Sequence, residues 1–239
     1  MSNNYGQDYH VDIVFCIDCT ETMDVVLNVI KERALGFYGD VQNSMKTKDK
    51  RISQLRVRVV AFRDYMAYDE ERRRGSKGSY PMLVTDFFTL PAEAHKLEVS
   101  VKSLYPIGGG DDPEDGLEAL AYSIRSDWDD DAGSKHRNII VLWTDAEAHV
   151  LGYGEKSSTY PNGMAKDFSE LTAWWGNRKA PGYMKDQAAK RLILFAPAGG
   201  WWDDISQIWD NTIHHKAEAG DHLRDLDYEV ILSCISNSI

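Results

Sequence analysis

VDIVFCIDCTETMD, residues 11–24, starts as an apolar run and changes within one residue into a string of oxygen-bearing side chains. Residues 11–17 have the composition of a buried strand. Asp18-Cys19-Thr20-Glu21-Thr22 then supplies a carboxylate and, at alternate positions, two hydroxyls that a curling loop can aim at one point. Beyond it Met23, Val26, Leu27 and Ile30 recur at helical spacing, in a segment predicted to run into the mid-40s, with Asp24 placed to help start the helix. A strand that ends in oxygens and feeds a helix is the opening unit of an α/β fold.

The rest of the chain repeats the alternation. Residues 55–62 (LRVRVVAF) and 83–90 (LVTDFFTL) read as strands, separated by DEERRRGSKGSYP, a charged loop whose arginine run reads as solvated surface. Ala94, Leu97, Val101 and Leu104 mark one helix, and Leu117, Leu120, Ala121 and Ile124 another. IIVLW (139–143) and LILFA (192–196) are continuous apolar runs, the pattern of strands covered on both faces of a parallel sheet. Helices are expected at residues 168–175 and 203–209, and a last one carries Leu223, Leu226, Val230, Ile231 and Cys234 on one stripe; NTIHHK (211–216) offers a short sixth strand. The expected architecture is a doubly wound α/β fold with a mostly parallel six-stranded sheet flanked by helices, forming a single domain over residues 1–239 with a short tail at 1–10.

Composition narrows the function classes. Hydrophobic residues make up 43% and the formal net charge is −11, so the chain belongs with globular proteins and its field repels phosphate backbones and anionic membrane surfaces. No nucleic acid and no membrane partner is expected. The first ten residues lack the pattern of an export signal and no apolar stretch is long enough to span a bilayer, which predicts a cytoplasmic protein. Cys16 and Cys19 form a C-x-x-C, but Cys16 lies within a strand and no second pair completes a zinc tetrahedron, so it reads as a small buried hydrophobe.

In doubly wound sheets ligands bind beyond the carboxyl ends of the strands. There the first strand presents Asp18, Thr20 and Thr22, the fourth presents Thr144 and Asp145, and the turn GGGDDPED (108–115) precedes the helix of Leu117. Carboxylates gathered at one edge repel unless a cation neutralises them, and this oxygen set fits Mg²⁺ or Mn²⁺, with Ca²⁺ also open. The plainer alternatives are a helix cap at Asp18 and solvated turn acids at Asp111, Asp112 and Asp115, the last two of which are assigned to solvent.

Taken together these segments are recognisable. DCTET resembles the D-x-S-x-S motif of von Willebrand factor A (vWA) domains, with threonines for both serines. GGGDDPED is similar to the D-x-P-E turn of integrin β-subunit I-like domains and of bacterial vWA proteins, LWTDAEAH to their T-D-A-x-x-H segment, and AFRDY to their F-x-D at the second strand. The resemblance implies a metal-ion-dependent adhesion site held by Asp18, Thr20, Thr22 and Glu114, with Asp145 acting through water. It further implies a possible second cation at Asp64, Asp111, Glu114 and the Pro113 carbonyl. Val25 and Val26 stand where a third integrin site has aspartates, so that site is expected to be missing.

The function so implied is a non-enzymatic, metal-dependent protein-binding module whose partner supplies an Asp or Glu to the cation, working as a subunit or adaptor in a bacterial multi-protein system of signalling or defence type. No catalytic residue is assigned. A Mg²⁺-dependent hydrolase or phosphotransferase is the rival, although Thr20 stands where haloacid-dehalogenase-type phosphatases carry their second acid; a structural subunit with a vestigial metal site is the third reading. His149 is expected to order its loop through a structural hydrogen bond, and His214 and His215 to point to opposite faces of a strand. At least half of the pairs Trp174-Trp175 and Trp201-Trp202 are expected in helix packing. The loop at residues 146–167 is the candidate for partner specificity.

Overall fold

Strand β1 (Asp8–Asp18) occupies the middle of the sheet, pairing in parallel with β2 (Arg51–Phe62) on one side and β5 (Lys135–Trp143) on the other. The computed structural model describes residues 8–75, 80–108, 113–131, 133–217, 223 and 226–239. Among these, β3 (Met82–Val84) and β4 (Phe88–Leu90) both pair antiparallel with β2, and β6 (Lys190–Pro197) and β7 (Thr212–Ala217) extend the sheet in parallel beyond β5. The order is β3-β2-β1-β5-β6-β7. The chain thus builds outward from β1 in one direction, then crosses back to build in the other. That reversal leaves the carboxyl ends of β1 and β5 side by side, with Ile17 opposite Trp143.

Among the described residues eight α-helices accompany the strands: α1 (Asp24–Arg33), α2 (Phe37–Thr47), α3 (Tyr65–Arg73), α4 (Ala94–Lys102), α5 (Gly116–Ile124), α6 (Phe168–Trp175), α7 (Gly200–Ile208) and α8 (Tyr228–Ser238). Alternation along β1 sorts them into two cores. Val11, Ile13, Phe15 and Ile17 pack with Val26 and Leu27 of α1, Phe37 and Val41 of α2, Leu97 of α4 and Ile235 of α8. Val14 and Cys16 face the other way, against Leu117 and Leu120 of α5, Trp175 of α6 and Trp202 of α7. Each large side chain buried in this way contributes on the order of 1.5–3 kcal/mol. Trp175 and Trp202 lie in the core while Trp174 and Trp201 pack on its margin, which meets the expectation that at least half of the four serve in packing.

Four expectations from the sequence need correction. The single strand at 83–90 is two strands, giving seven among the described residues. Arg58 and Val59 of β2 face the three residues Thr85, Asp86 and Phe87, and this extra residue makes a β-bulge. The Thr85 hydroxyl accepts from Val59 N at 3.0 Å and fills the interrupted ladder. The first helical segment is two helices, broken before Phe37 at Gly36, a poor helix former; the break turns Phe37 edge-on to Phe15, 5.2 Å between ring centres. Asp69 to Arg73 of the charged loop belong to α3, which buries only Tyr65 and therefore has no apolar stripe to read. Leu223 and Leu226 precede α8 instead of lying on it, and Val230 is exposed because Ile231 and Ile235 form the buried face.

Gly116, the first residue of α5, is where this packing has no slack. A Cβ there would lie 2.7 Å from the six-membered ring of Trp202. Gly116→Ala should force Trp202 from its pocket and destabilise the fold by about 1–3 kcal/mol, read as a lower urea midpoint at unchanged slope. An unchanged midpoint would show that α5 and α7 are not in tight contact.

Candidate functional site

At the end of β1 the Asp18 side chain is wholly buried. Its Oδ1 accepts from Thr20 N at 2.8 Å and from Thr20 Oγ1 at 2.7 Å, and its Oδ2 accepts from Thr144 Oγ1 at 2.6 Å. Thr22 Oγ1 donates to Asp145 Oδ1 at 3.0 Å. Asp18, Thr20, Thr22 and Asp145 are thereby gathered at one edge, bridged between the two strand ends by Thr144. The cluster runs outward from buried Asp18 through half-buried Asp145 to exposed Thr22.

Glu114 is buried beside the same edge, and its segment is tied to the loop after Asp145 as a short parallel bridge with Ala148. Glu114 N donates to Glu147 O at 2.9 Å and His149 N to Glu114 O at 2.8 Å. Pro113 immediately precedes it, whereas Asp111 and Asp112 lie outside the described residues. Asp115 is not a solvated acid: it is fully buried, and its Oδ2 accepts from Tyr65 N at 2.6 Å, so it holds the start of α3. Asp64 also has structural work. One oxygen caps α3 by accepting from Ala67 N, and the other lies 3.0 Å from His149 Nε2. His149 stacks on Tyr153 at 3.7 Å, so it orders its loop as expected. Asp64, Asp115 and His149 could each turn one ligand atom to a common point, these atoms lying within 4.8 Å of one another.

Two contributors were not assigned a role in advance. Thr144 lies within LWTDAEAH, but only the fold shows that its hydroxyl crosses to Asp18. Arg63 lies within AFRDY, is buried, and spends its guanidinium on four carbonyls: Cys19 O at 3.0 Å, Ile107 O at 3.1 Å, Tyr80 O at 2.8 Å and Tyr105 O at 2.7 Å. Cys19 N meanwhile donates to Phe62 O at 2.8 Å and Ile107 N to Cys19 O at 3.1 Å. The Asp18 loop is therefore fastened to the approach to the Gly108 turn.

The donor set fits a hard divalent cation. It comprises carboxylates and hydroxyls without sulfur, the chemistry of Mg²⁺, Mn²⁺ or Ca²⁺. Asp18 is bonded to neutral hydroxyl and amide groups, and the charge acting on it is that of Asp145, of the same sign. Burial first, and then the Asp145 charge, outweigh these hydrogen bonds and push the Asp18 carboxyl up to about 6. A positive charge is the component that this pair of acids calls for.

No protein-family profile and no curated protein matches the chain. Among solved structures, the pilus adhesin SpaC from Lactobacillus rhamnosus GG is similar in fold, with a TM-score of 0.52 at 12% identity over 98% of this chain and 30% of that one. Its open conformation gives a TM-score of 0.51, also at 12% identity with 98% and 30% covered. The minor pilin PilB from Streptococcus sanguinis aligns at 0.49, with 13% identity, 98% of this chain and 61% of that one. The chain spans about a third of the adhesin's length.

Without metal, Asp18 should make stability depend on pH. Below its ordinary value of 3.8 the carboxyl is protonated whether the chain is folded or not; as pH rises the unfolded chain ionises first, and stability is lost up to about pH 6. Asp18→Asn keeps the shape and the acceptor for Thr20 without the charge, its Nδ2 donating to the Thr144 hydroxyl, which can turn toward Ala146 O. In EDTA it should exceed the wild type by up to ~3 kcal/mol above neutral pH, the gap closing in acid. Urea melts at the two pH values measure this, and equal stabilities at the higher pH would refute it.

Proposed function

We propose that the chain is a vWA-type domain, doubly wound in the manner of that family, and acts as a non-enzymatic, divalent-metal-dependent protein-binding module. The observation that carries this reading is the convergence of Asp18, Thr20, Thr22 and Asp145 where β1 and β5 end, with the Glu114 segment bridged to the same loop. Asp18, Thr20, Thr22, Glu114 and Asp145 would hold Mg²⁺ or Mn²⁺. Asp64, Asp111 and Pro113 are assigned to a possible second site, for which Ca²⁺ is the alternative ion. A bound cation would supply the charge that attracts an aspartate or glutamate of the partner.

The chain's own residues set the terms of that encounter. The gradient from buried Asp18 to exposed Thr22 holds the inner acid rigid and leaves the outer rim within a partner's reach. The exposed side chains of Glu147, Val150 and Tyr153, in the loop at 146–167 that follows Asp145 in the chain, would discriminate between partners. We place the protein in the cytoplasm as part of a hetero-complex, a subunit or adaptor of a bacterial signalling or defence assembly. No described helix is long and apolar enough to cross a membrane.

Mg²⁺ at a hundred times its dissociation constant should stabilise the wild type by about 2.7 kcal/mol and leave Asp18→Ala unmoved. Untagged protein used to capture partners from cells of its source should retain them in Mg²⁺ and release them in EDTA. Capture that persists both in chelator and with Asp18→Ala would assign the protein to structural subunits with a vestigial site. Turnover of a phosphate ester abolished by the same substitution would favour the hydrolase.

A further inference from the structure

At the opposite, amino end of the sheet a second cluster of ligating side chains forms, this one containing nitrogen. The parallel register sets His10 of β1 directly beside His136 of β5, and Gln54 of β2 on the other flank of His10. Asp129, from the segment between α5 and β5, lies over this row: its Oδ2 is 2.9 Å from His10 Nδ1 and accepts from Gln54 Nε2 at 2.7 Å. His10, Asp129 and His136 each present a ligand atom within 4.8 Å of the other two.

The state of His136 points to a ligand. Its ring is nine-tenths buried, and its Nε2 meets the Asp131 carbonyl at 2.6 Å. A carbonyl only accepts, so Nε2 carries the proton and Nδ1 is left as a lone pair. That Nδ1 is buried and has no hydrogen-bond partner among the described residues. A buried imidazole whose remote N–H is fixed by a backbone carbonyl, with its other nitrogen unused, has the arrangement of a metal-bound histidine and its outer-shell partner. His10 can match it. Without an ion its Nδ1 donates to the Asp129 carboxylate at 2.9 Å; with one bound, the proton would move to Nε2, where Ser134 Oγ at 3.2 Å can accept it, and Nδ1 would be left as a lone pair for the ion.

We propose that His10, His136 and Asp129 form a site for a borderline divalent cation of the Zn²⁺ or Co²⁺ class, separate from the oxygen site at the other end of β1. Two imidazoles and one carboxylate are a common three-ligand set for such ions and leave a fourth position for water. That position is served by an open cleft of about 610 Å³, lined by His136 and Asp129 together with Asp127, Asp130 and Asp131, whose charge draws cations in. Mg²⁺ prefers all-oxygen surroundings and does not compete well here.

The test is a Co²⁺ titration of untagged, EDTA-treated and dialysed protein in excess Mg²⁺, followed by visible absorption. The wild type and Asp18→Ala should both bind one equivalent with intense tetrahedral bands that Zn²⁺ displaces. His136→Asn, and separately His10→Asn, should lose the bands and bind Zn²⁺ at least ~10-fold more weakly, while far-ultraviolet circular dichroism in EDTA shows each still folded. Absence of bands in the wild type, bands retained in both folded histidine variants, or bands abolished by Asp18→Ala alone would overturn the proposal. If one histidine variant does not fold, the other together with Asp129→Asn decides.

Discussion

A carboxylate with no exposed surface, Asp18 at the end of the central strand, is the constraint around which the upper edge of this molecule is arranged. Removing such a group from water costs several kcal/mol unless hydrogen bonds or opposite charge replace the solvent. The hydrogen bonds come from Thr20 and Thr144, and each fixes an element: Thr20 curls the chain back beneath the carboxylate, and Thr144 locks the end of β5 to the end of β1. Those bonds do not neutralise the charge. The remaining imbalance, worsened by Asp145, is one that a bound cation would relieve.

Arg63 solves the complementary problem. Its guanidinium is a buried charge of the opposite sign, and its hydrogen-bond partners are backbone carbonyls from three separate segments. Placed on carbonyls, it fastens the surrounding loops to one another. Asp115 and Asp64 act in the same structural sense, holding the start of α3 through Tyr65 N and Ala67 N. The loops of the site are thereby fastened to the sheet on which they stand.

Much of this was legible in order along the chain. The strand–helix alternation, the two-sided apolar runs and the edge strand at 212–217 follow from periodicity, because side-chain direction is fixed by local backbone geometry. Bulges, breaks and caps were not: the Thr85 bulge and the split at Gly36 are settled by which partner the residue meets across space. Asp115 was read as solvated because it stands in a run of acids, and a sequence cannot show that the N terminus of α3 reaches it. His10 and His136 carry no signal in the sequence, since only strand register makes them neighbours.

That register also explains why polar chemistry gathers at both ends of one strand. Along β1 the odd positions Tyr9 to Ile17, and Cys19 just beyond the strand, are all in the apolar core, covered along their length by α1, α2, α4 and α8. The even positions read His10, Asp12, Val14, Cys16 and Asp18, apolar only in the middle. Eleven residues of strand extend about 36 Å, but the nine residues of α5 lying over this face cover roughly 13 Å of it. Beyond each end of that helix the sheet is roofed by loops, which bring backbone amides, carbonyls and acidic side chains in place of leucines. Asp12 shows the consequence in its mildest form, buried against Arg56 at 2.6 Å and accepting from Asp129 N at 2.7 Å. A short covering helix on a long central strand thus creates two polar ends, oxygen-rich where the strand stops and nitrogen-bearing where it starts.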